Sequence, residues 1–206
     1  MTDDSFESHA EAAALIQQTT SDTRRSLDTR IPQLYGAWGV AWLVGLGGMW
    51  LSVRGQHPYA GPSTGAAVLL GVLLMGAVGV TIFYVVRATR GVHGHSEVQG
   101  RIFGFAWLVG FSAFFTLVGA LAHQGASPTV LGLLGATGPL LVTSMVYFVG
   151  AAIWLDWPML AMGVWLAVVV AASVWTGPVT VLLIDAVAGG GGFLVMTLYL
   201  ATRRRG

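Results

Sequence analysis

The stretch from Ile102 to Leu155, IFGFAWLVGFSAFFTLVGALAHQGASPTVLGLLGATGPLLVTSMVYFVGAAIWL, contains no Asp, Glu, Lys or Arg. Most of its residues are Leu, Val, Ala, Phe and Gly, and a water-soluble domain has too little interior to bury so long an apolar run. The stretch is long enough for two membrane-spanning helices, since each needs about 20 apolar residues. The sequence therefore predicts that a lipid bilayer surrounds most of this chain.

The composition of the whole chain is also typical of an integral membrane protein. Apolar residues make up 55% of the 206 residues and charged residues only 9%, whereas soluble domains contain about 25% charged residues. All ten basic residues are Arg. The chain has no Cys, which excludes disulfides, thiolate metal sites and Cys nucleophiles. The polar N-terminal region lacks the apolar segment of a secretory signal peptide.

Six segments are long and apolar enough to cross the hydrocarbon core of a bilayer. The turns between them combine Gly or Pro with a residue that can cap the next helix, as in 125–128 (GASP) and 156–158 (DWP). We therefore predict an all-α fold, a polytopic membrane bundle of six transmembrane helices. The predicted spans are Leu34–Val53, Gly65–Val86, Ile102–Ala122, Val130–Ala152, Met159–Trp175 and Val179–Leu200.

The arginines predict the orientation of this bundle. With six spans both termini share one side, which holds nine of the ten arginines, and the other side holds only Arg54. Because Arg-rich loops stay in the cytoplasm, we expect both termini there, in a multi-pass protein of the inner (plasma) membrane. The expected domains are a cytoplasmic extension (1–33), the six-helix domain (34–202) and a cytoplasmic basic tail (203–206). The arginines expected to contact the membrane surface are Arg24, Arg25, Arg30, Arg87, Arg90, Arg101, Arg203, Arg204 and Arg205.

The N-terminal extension has the pattern of an amphipathic helix. Apolar residues recur at three- and four-residue steps from Ala12 to Leu34, with Glu, Gln, Asp and Arg between them. Pro32 is expected to bend or end this helix before the first span. Its arginines suit anionic lipid headgroups, and a partner protein or a second copy of this chain are the alternative binding partners.

An internal repeat relates three of the predicted spans. Gly39–Gly45 (GVAWLVG) in the first span reappears as Gly104–Gly110 (GFAWLVG) in the third, with a weaker match at Gly163–Val168 (GVWLAV) in the fifth. All three segments lie on helices that run in the same direction. Either the chain consists of three parallel helical hairpins, or the match reflects a composition rich in Gly, Ala, Trp, Leu and Val.

Asp185 is the one acidic residue inside a predicted span. At ~1.5 Å per residue it lies about 9 Å below the outer boundary, where an ionisable side chain is costly and by default a functional candidate. Thr116 and Thr137 are expected at a similar depth as hydrogen-bond partners. Three interpretations stay open: a proton or cation relay or substrate contact, a structural hydrogen bond between helices, and a span that begins later and leaves Asp185 near the headgroups.

Four consecutive glycines follow Asp185 by one turn: Gly189, Gly190, Gly191 and Gly192. Each costs about 1 kcal/mol of helix propensity relative to Ala, so the run needs a structural reason. Either it permits very close helix packing, or it marks an unwound segment that lines a cavity.

Other classes of function lack their sequence signatures. The chain has no G-x-S-x-G, H-E-x-x-H or phosphate-binding G-x-x-x-x-G-K-[ST] motif, so we predict neither an enzyme nor a bound cofactor. His93 and His95 form an H-x-H pair, but without a third ligand a solvated basic loop explains them better than a metal site. No segment indicates nucleic-acid binding.

The segment Leu34–Gly45 (LYGAWGVAWLVG), preceded by Glu11–Ile16 (EAAALI), resembles small polytopic membrane proteins of high-GC Gram-positive bacteria that are loosely labelled as transporters. The amphipathic helix, the six spans and a short basic loop are also similar to the layout of ABC-2-type permeases. The resemblance implies a transport-associated subunit, either a permease or an accessory component, with an ABC-type ATPase or a second copy of the chain as partner. The alternative is a non-transporting regulatory or scaffolding protein that binds a membrane partner.

Overall fold

The structure, a computed structural model, describes residues 31–88 and 95–203, and over these residues it is helical with no strand. Six helices are long and apolar enough to span a membrane, which confirms the predicted all-α fold and the number of spans. They are α1 (Ile31–Val53), α2 (Thr64–Ala88), α3 (His95–His123), α4 (Pro128–Trp154), α5 (Trp157–Ser173) and α6 (Thr180–Thr202). The predicted amphipathic helix, His93, and Arg24, Arg25, Arg30, Arg90, Arg204 and Arg205 lie outside the described residues.

The beginnings of α4 and α5 follow directly from the local sequence. Ser127 caps α4 by accepting a hydrogen bond from the backbone N–H of Val130 at 3.4 Å. Asp156 caps α5 in the same way, accepting from the N–H of Met159 at 2.7 Å. Each helix also has a proline in its first turn, where the missing N–H has no partner to lose.

The core of the bundle consists of α1, α4, α5 and α6. The antiparallel helices α1 and α6 have the most extensive contact, and α4 packs along α5. Glycines bring α1 and α6 together along their length, with Gly36 against Thr197 and Gly190 against Leu43. The result is a four-helix core with α2 and α3 outside it.

Helices α2 and α3 lie at the periphery. None of the 18-residue apolar window of α3 is buried within the protein, and only 11% of that of α2. Trp38 of α1 contacts both helices: its Nε1 donates to Thr81 Oγ1 of α2 at 3.0 Å, and its ring stacks on Trp107 of α3 with centroids 5.8 Å apart. Most of the surface of α2 and α3 therefore faces lipid or a partner.

The first two copies of the sequence repeat pack alike at one end only. Gly45 of α1 faces Leu70 of the next helix, and Gly110 of α3 faces Val142 of the next helix. The tryptophans differ, because Trp42 is only 2% exposed whereas Trp107 is half-buried, with its ring against Phe111 and Tyr147. The parallel-hairpin repeat thus remains a hypothesis.

The described arginines divide between the two ends of the bundle. Arg87, Arg101 and Arg203 lie at the end where the chain enters α1 and leaves α6, which we call the arginine end. Arg54 lies at the opposite end, which we call the far end, and its guanidinium stands 5.7 Å from the centroid of Trp50. The cytoplasmic location of the arginine end stays a prediction.

Candidate functional site

Asp185 lies in the centre of the four-helix core and is 0% exposed. It begins a π-helical segment, Asp185–Gly190, that interrupts the α-helical geometry of α6. The segment packs mainly against α1 and also contacts α4 and α5. An ionisable side chain is therefore enclosed by protein on all sides within the membrane-spanning region.

Neither carboxyl oxygen of Asp185 has a hydrogen-bond partner among the described residues. Ser173 of α5 comes close enough to the carboxyl group for its hydroxyl to act as a weak donor, although the hydroxyl also lies 3.5 Å from the carbonyl of Val170. The one polar side chain that reaches Asp185 among the described residues is therefore a neutral hydroxyl, and a buried carboxylate without a cationic partner costs several kcal/mol.

The two threonines that we expected near Asp185 are placed differently. Thr137 is buried in α4, and its hydroxyl donates to the carbonyl of Leu133 at 2.8 Å. Thr116 is exposed on α3, a helix that packs mainly against α4. The structure therefore brings Thr137 into the core and leaves Thr116 on the surface, and it pairs neither with Asp185.

Trp165 of α5 is hydrogen-bonded to the π-helical segment. Its Nε1 donates to the carbonyl of Ala188 at 2.8 Å. Single π-helical turns are rare and occur frequently at functional sites. The repeat pattern placed Trp165 in a packing motif, and nothing in the sequence indicated that its indole would bind the backbone next to Asp185.

The glycine run after Asp185 is a junction between helices. Three of its four members lie against three different neighbouring helices, and the run remains helical throughout. The contacts are those of Gly189 with Leu140 of α4, of Gly190 with the Leu43 backbone of α1 and of Gly192 with the Trp165 indole of α5, whereas Gly191 has open space beside it. Of the two interpretations of this run, the structure supports close packing.

A cavity of about 290 Å³ lies at the far end of the bundle. Its walls come from α1, α4, α6 and the loop between α1 and α2, and they are mainly apolar. The lining includes Met49, Tyr59, Pro62, Leu131, Gly135, Ala136 and Leu182.

Two helix registers place Asp185 just beneath this cavity. On α6, Leu182 lines the cavity, and Asp185 lies one turn deeper, about 4.5 Å along the axis. Between the parallel helices α4 and α6, Leu140 touches Gly189. Four residues back on each helix, Ala136 of the cavity wall is therefore level with Asp185. Asp185 itself does not line the cavity.

A proline interrupts the backbone hydrogen bonding of α4 at the depth of the π-helical segment of α6. Pro139 lies inside the helix and has no N–H, so the carbonyl of Gly135 loses its usual partner four residues on. Gly135 belongs to the cavity wall. Pro139 inside the predicted span 130–152 is the sequence signal for this carbonyl.

Tyr59 reaches the cavity from a loop that the side chain of Gln56 organises. Gln56 Nε2 donates to the carbonyl of Gly61 at 2.9 Å, and its Oε1 accepts from the N–H of Ala60 at 2.9 Å. The Tyr59 hydroxyl is buried, has no hydrogen-bond partner in the described structure and lies against Gly132. This burial raises the pKa of Tyr59 above its ordinary value.

The fold and the site define a polytopic helical membrane protein with an unpaired carboxyl group in its core. Over residues 32–87 and 98–203, whose side chains the structure describes, no cluster of three or more His, Cys, Asp or Glu side chains is arranged to hold a metal ion. Comparisons with models of protein families, with curated proteins and with solved structures find no match to this chain.

Proposed function

We propose that this protein is a transport-associated membrane subunit that takes up a proton or a small cation at Asp185. The observation that carries the proposal is a fully buried carboxyl group that no cationic side chain neutralises among the described residues. Such a group is costly as an anion unless a mobile positive charge neutralises it. Intramembrane carboxyl groups of this kind occur in proton relays and ion pathways.

The backbone around Asp185 supports the same function. Transporters commonly form their binding sites where spanning helices depart from regular α-helical geometry. Here α6 is π-helical from Asp185 to Gly190, and α4 carries Pro139, which deprives the Gly135 carbonyl of its helical partner. The two irregularities lie at one depth, next to the far-end cavity.

Cation flux in liposomes containing the purified chain tests this function. We expect Asp185→Asn to abolish proton or cation uptake that follows an imposed membrane potential. Asp156→Asn is the matched control, because it makes the same change at the arginine end and Asn still caps a helix. The control should retain the flux. Equal flux through both variants would contradict a role for Asp185.

Isolation of the tagged protein from native membranes separates a permease from an accessory component. Co-purification of a nucleotide-binding subunit would support an ATP-driven complex in which this chain is one part. Absence of flux together with recovery of a regulatory protein would instead support the second candidate, a non-transporting scaffold.

The second candidate, a non-transporting scaffold, is favoured by the exposure of the two outer helices. Helices α2 and α3 expose nearly their whole length, which leaves a large apolar surface for a membrane partner. The lining of the far-end cavity also includes Leu182 but not Asp185. A scaffold would use these outer helices and would not need Asp185 to exchange a cation.

A further inference from the structure

We propose that the far-end cavity binds a small apolar amine whose ammonium group points towards Asp185. This inference rests on the proposed role of Asp185 as a cation site, and it adds the chemical class of the ligand. Its basis is the combination of three features at successive depths of one site. These are the apolar walls of the cavity, the carbonyl of Gly135 without its helical partner, and the buried carboxyl group of Asp185.

The size and walls of the cavity suit an apolar body. An engineered apolar cavity of about 150 Å³ already holds benzene, so 290 Å³ accommodates a one-ring amine with its side chain. Met49, Leu131 and Leu182 contribute apolar surface to the lining. A bare inorganic cation would need several oxygen ligands in place of its water, and these walls do not supply them.

The floor of the cavity suits a positive charge. The carbonyl of Gly135 can accept one of the three ammonium hydrogens. Asp185 lies about one turn below the floor at Leu182, and in an interior of low dielectric its negative charge acts strongly over this distance. The charge of the amine thereby neutralises the carboxyl group of Asp185, which has no cationic partner among the described residues.

Tyr59 completes the site from the far end. Its ring can contact the aromatic or alkyl part of the amine, and its buried hydroxyl has a free acceptor site. No cationic side chain in the described ranges lines this cavity, so none competes with the ligand for the negative charge of Asp185. The titratable side chains described at the far end are Arg54, His57, Tyr59 and His123.

The test uses phenethylammonium as the probe and propylbenzene as its neutral isostere, because a methyl group replaces the ammonium. Binding to the full-length protein in nanodiscs is measured by calorimetry and by the shift in thermal unfolding temperature. We expect phenethylammonium to bind and to raise the unfolding temperature, and propylbenzene to bind at least about tenfold more weakly.

Two substitutions test the two parts of the site. Asp185→Asn should weaken phenethylammonium about tenfold or more and leave propylbenzene unchanged. Gly135→Leu should fill the cavity and abolish binding of both compounds without unfolding the protein, since a side chain at Gly135 meets no atom within 4 Å. Gly119→Leu on the exposed face of α3, which also has open space beside it, should bind like the unmodified protein.

Several results would overturn the inference. Equal binding of the amine and its isostere would show an apolar cavity without cation recognition. Binding unchanged by Gly135→Leu would place the ligand elsewhere. Stabilisation by sodium ions alone, with none by phenethylammonium, would show an inorganic site. Because proton flux through liposomes is measured without the amine, these failures are distinguishable from a failure of the proposed function.

Discussion

Replacing Gly190 by Ala should destabilise the bundle at its closest helix contact. An ideal Cβ at this position would lie 2.5 Å from the backbone nitrogen of Leu43 and 2.9 Å from its Cα. Backbone atoms cannot rotate away as the end of a side chain can, so α1 and α6 must move apart. Such overpacking costs about 1–3 kcal/mol.

The neighbouring glycine provides the matched control. Gly191 has no atom within 4 Å of an added Cβ, so Gly191→Ala keeps the gain in helix propensity, up to about 1 kcal/mol, without the clash. The same gain reduces the cost at Gly190 to about 0–2 kcal/mol. The two variants should therefore differ in free energy of unfolding by about 2 kcal/mol, although they differ only in which glycine is changed.

Equilibrium unfolding of both variants in mixed micelles, with increasing SDS, measures this difference. Tryptophan fluorescence reports the transition, because Trp42 and Trp165 lie at the α1–α6 and α5–α6 contacts respectively. Equal stability of the two alanine variants would refute the close contact between Gly190 and Leu43, and with it the packing explanation of the glycine run.

Three further outcomes follow from single contacts. Trp165→Phe removes the 2.8 Å hydrogen bond to the Ala188 carbonyl and should lower the free energy of unfolding by about 0.5–1.5 kcal/mol; an unchanged SDS midpoint would contradict this contribution. Ser144→Ala removes the bond from Ser144 Oγ to the Gly163 carbonyl, 2.7 Å, and should cost about 0.6 kcal/mol in the same assay. Burial raises the pKa of Tyr59, so folding favours its neutral form; stability from this group is fully present below its unfolded pKa of about 10 and is lost above it. The thermal unfolding temperature should therefore fall more steeply above pH 10 in the unmodified protein than in Tyr59→Phe, and parallel pH curves would exclude the effect.

The six helices and most of their boundaries were predictable because their causes are local; α3 is the exception, since it begins at His95 and the predicted span begins only at Ile102. Long apolar segments must form helices in lipid to satisfy their own backbone groups. Capping residues such as Ser127 and Asp156 lie next to the helices that they begin. The predicted span 130–152 and the observed α4, Pro128–Trp154, differ by only two residues at each end.

The composition of the site was only partly predictable, because it joins residues from distant parts of the chain. Asp185 stood out in the sequence because a carboxyl group inside an apolar span is unusual. Its expected partner Thr116 is on the wrong helix to reach it, since equal depth does not say which helices are neighbours. Trp165 belongs to the site because it contacts Ala188, and Tyr59 because it contacts Gly132. No local sequence pattern predicts either contact.

The sequence by itself determined that this protein is a six-helix membrane protein, since the free energy of placing apolar or charged residues in lipid depends on each segment separately. Only the tertiary structure decided that α1, α4, α5 and α6 enclose Asp185 while α2 and α3 remain outside. It also decided that the carboxyl group would be left unpaired beneath a cavity. These features depend on which helix faces meet, and in lipid nearly every face is apolar, so hydrophobicity alone does not distinguish a buried face from an exposed one.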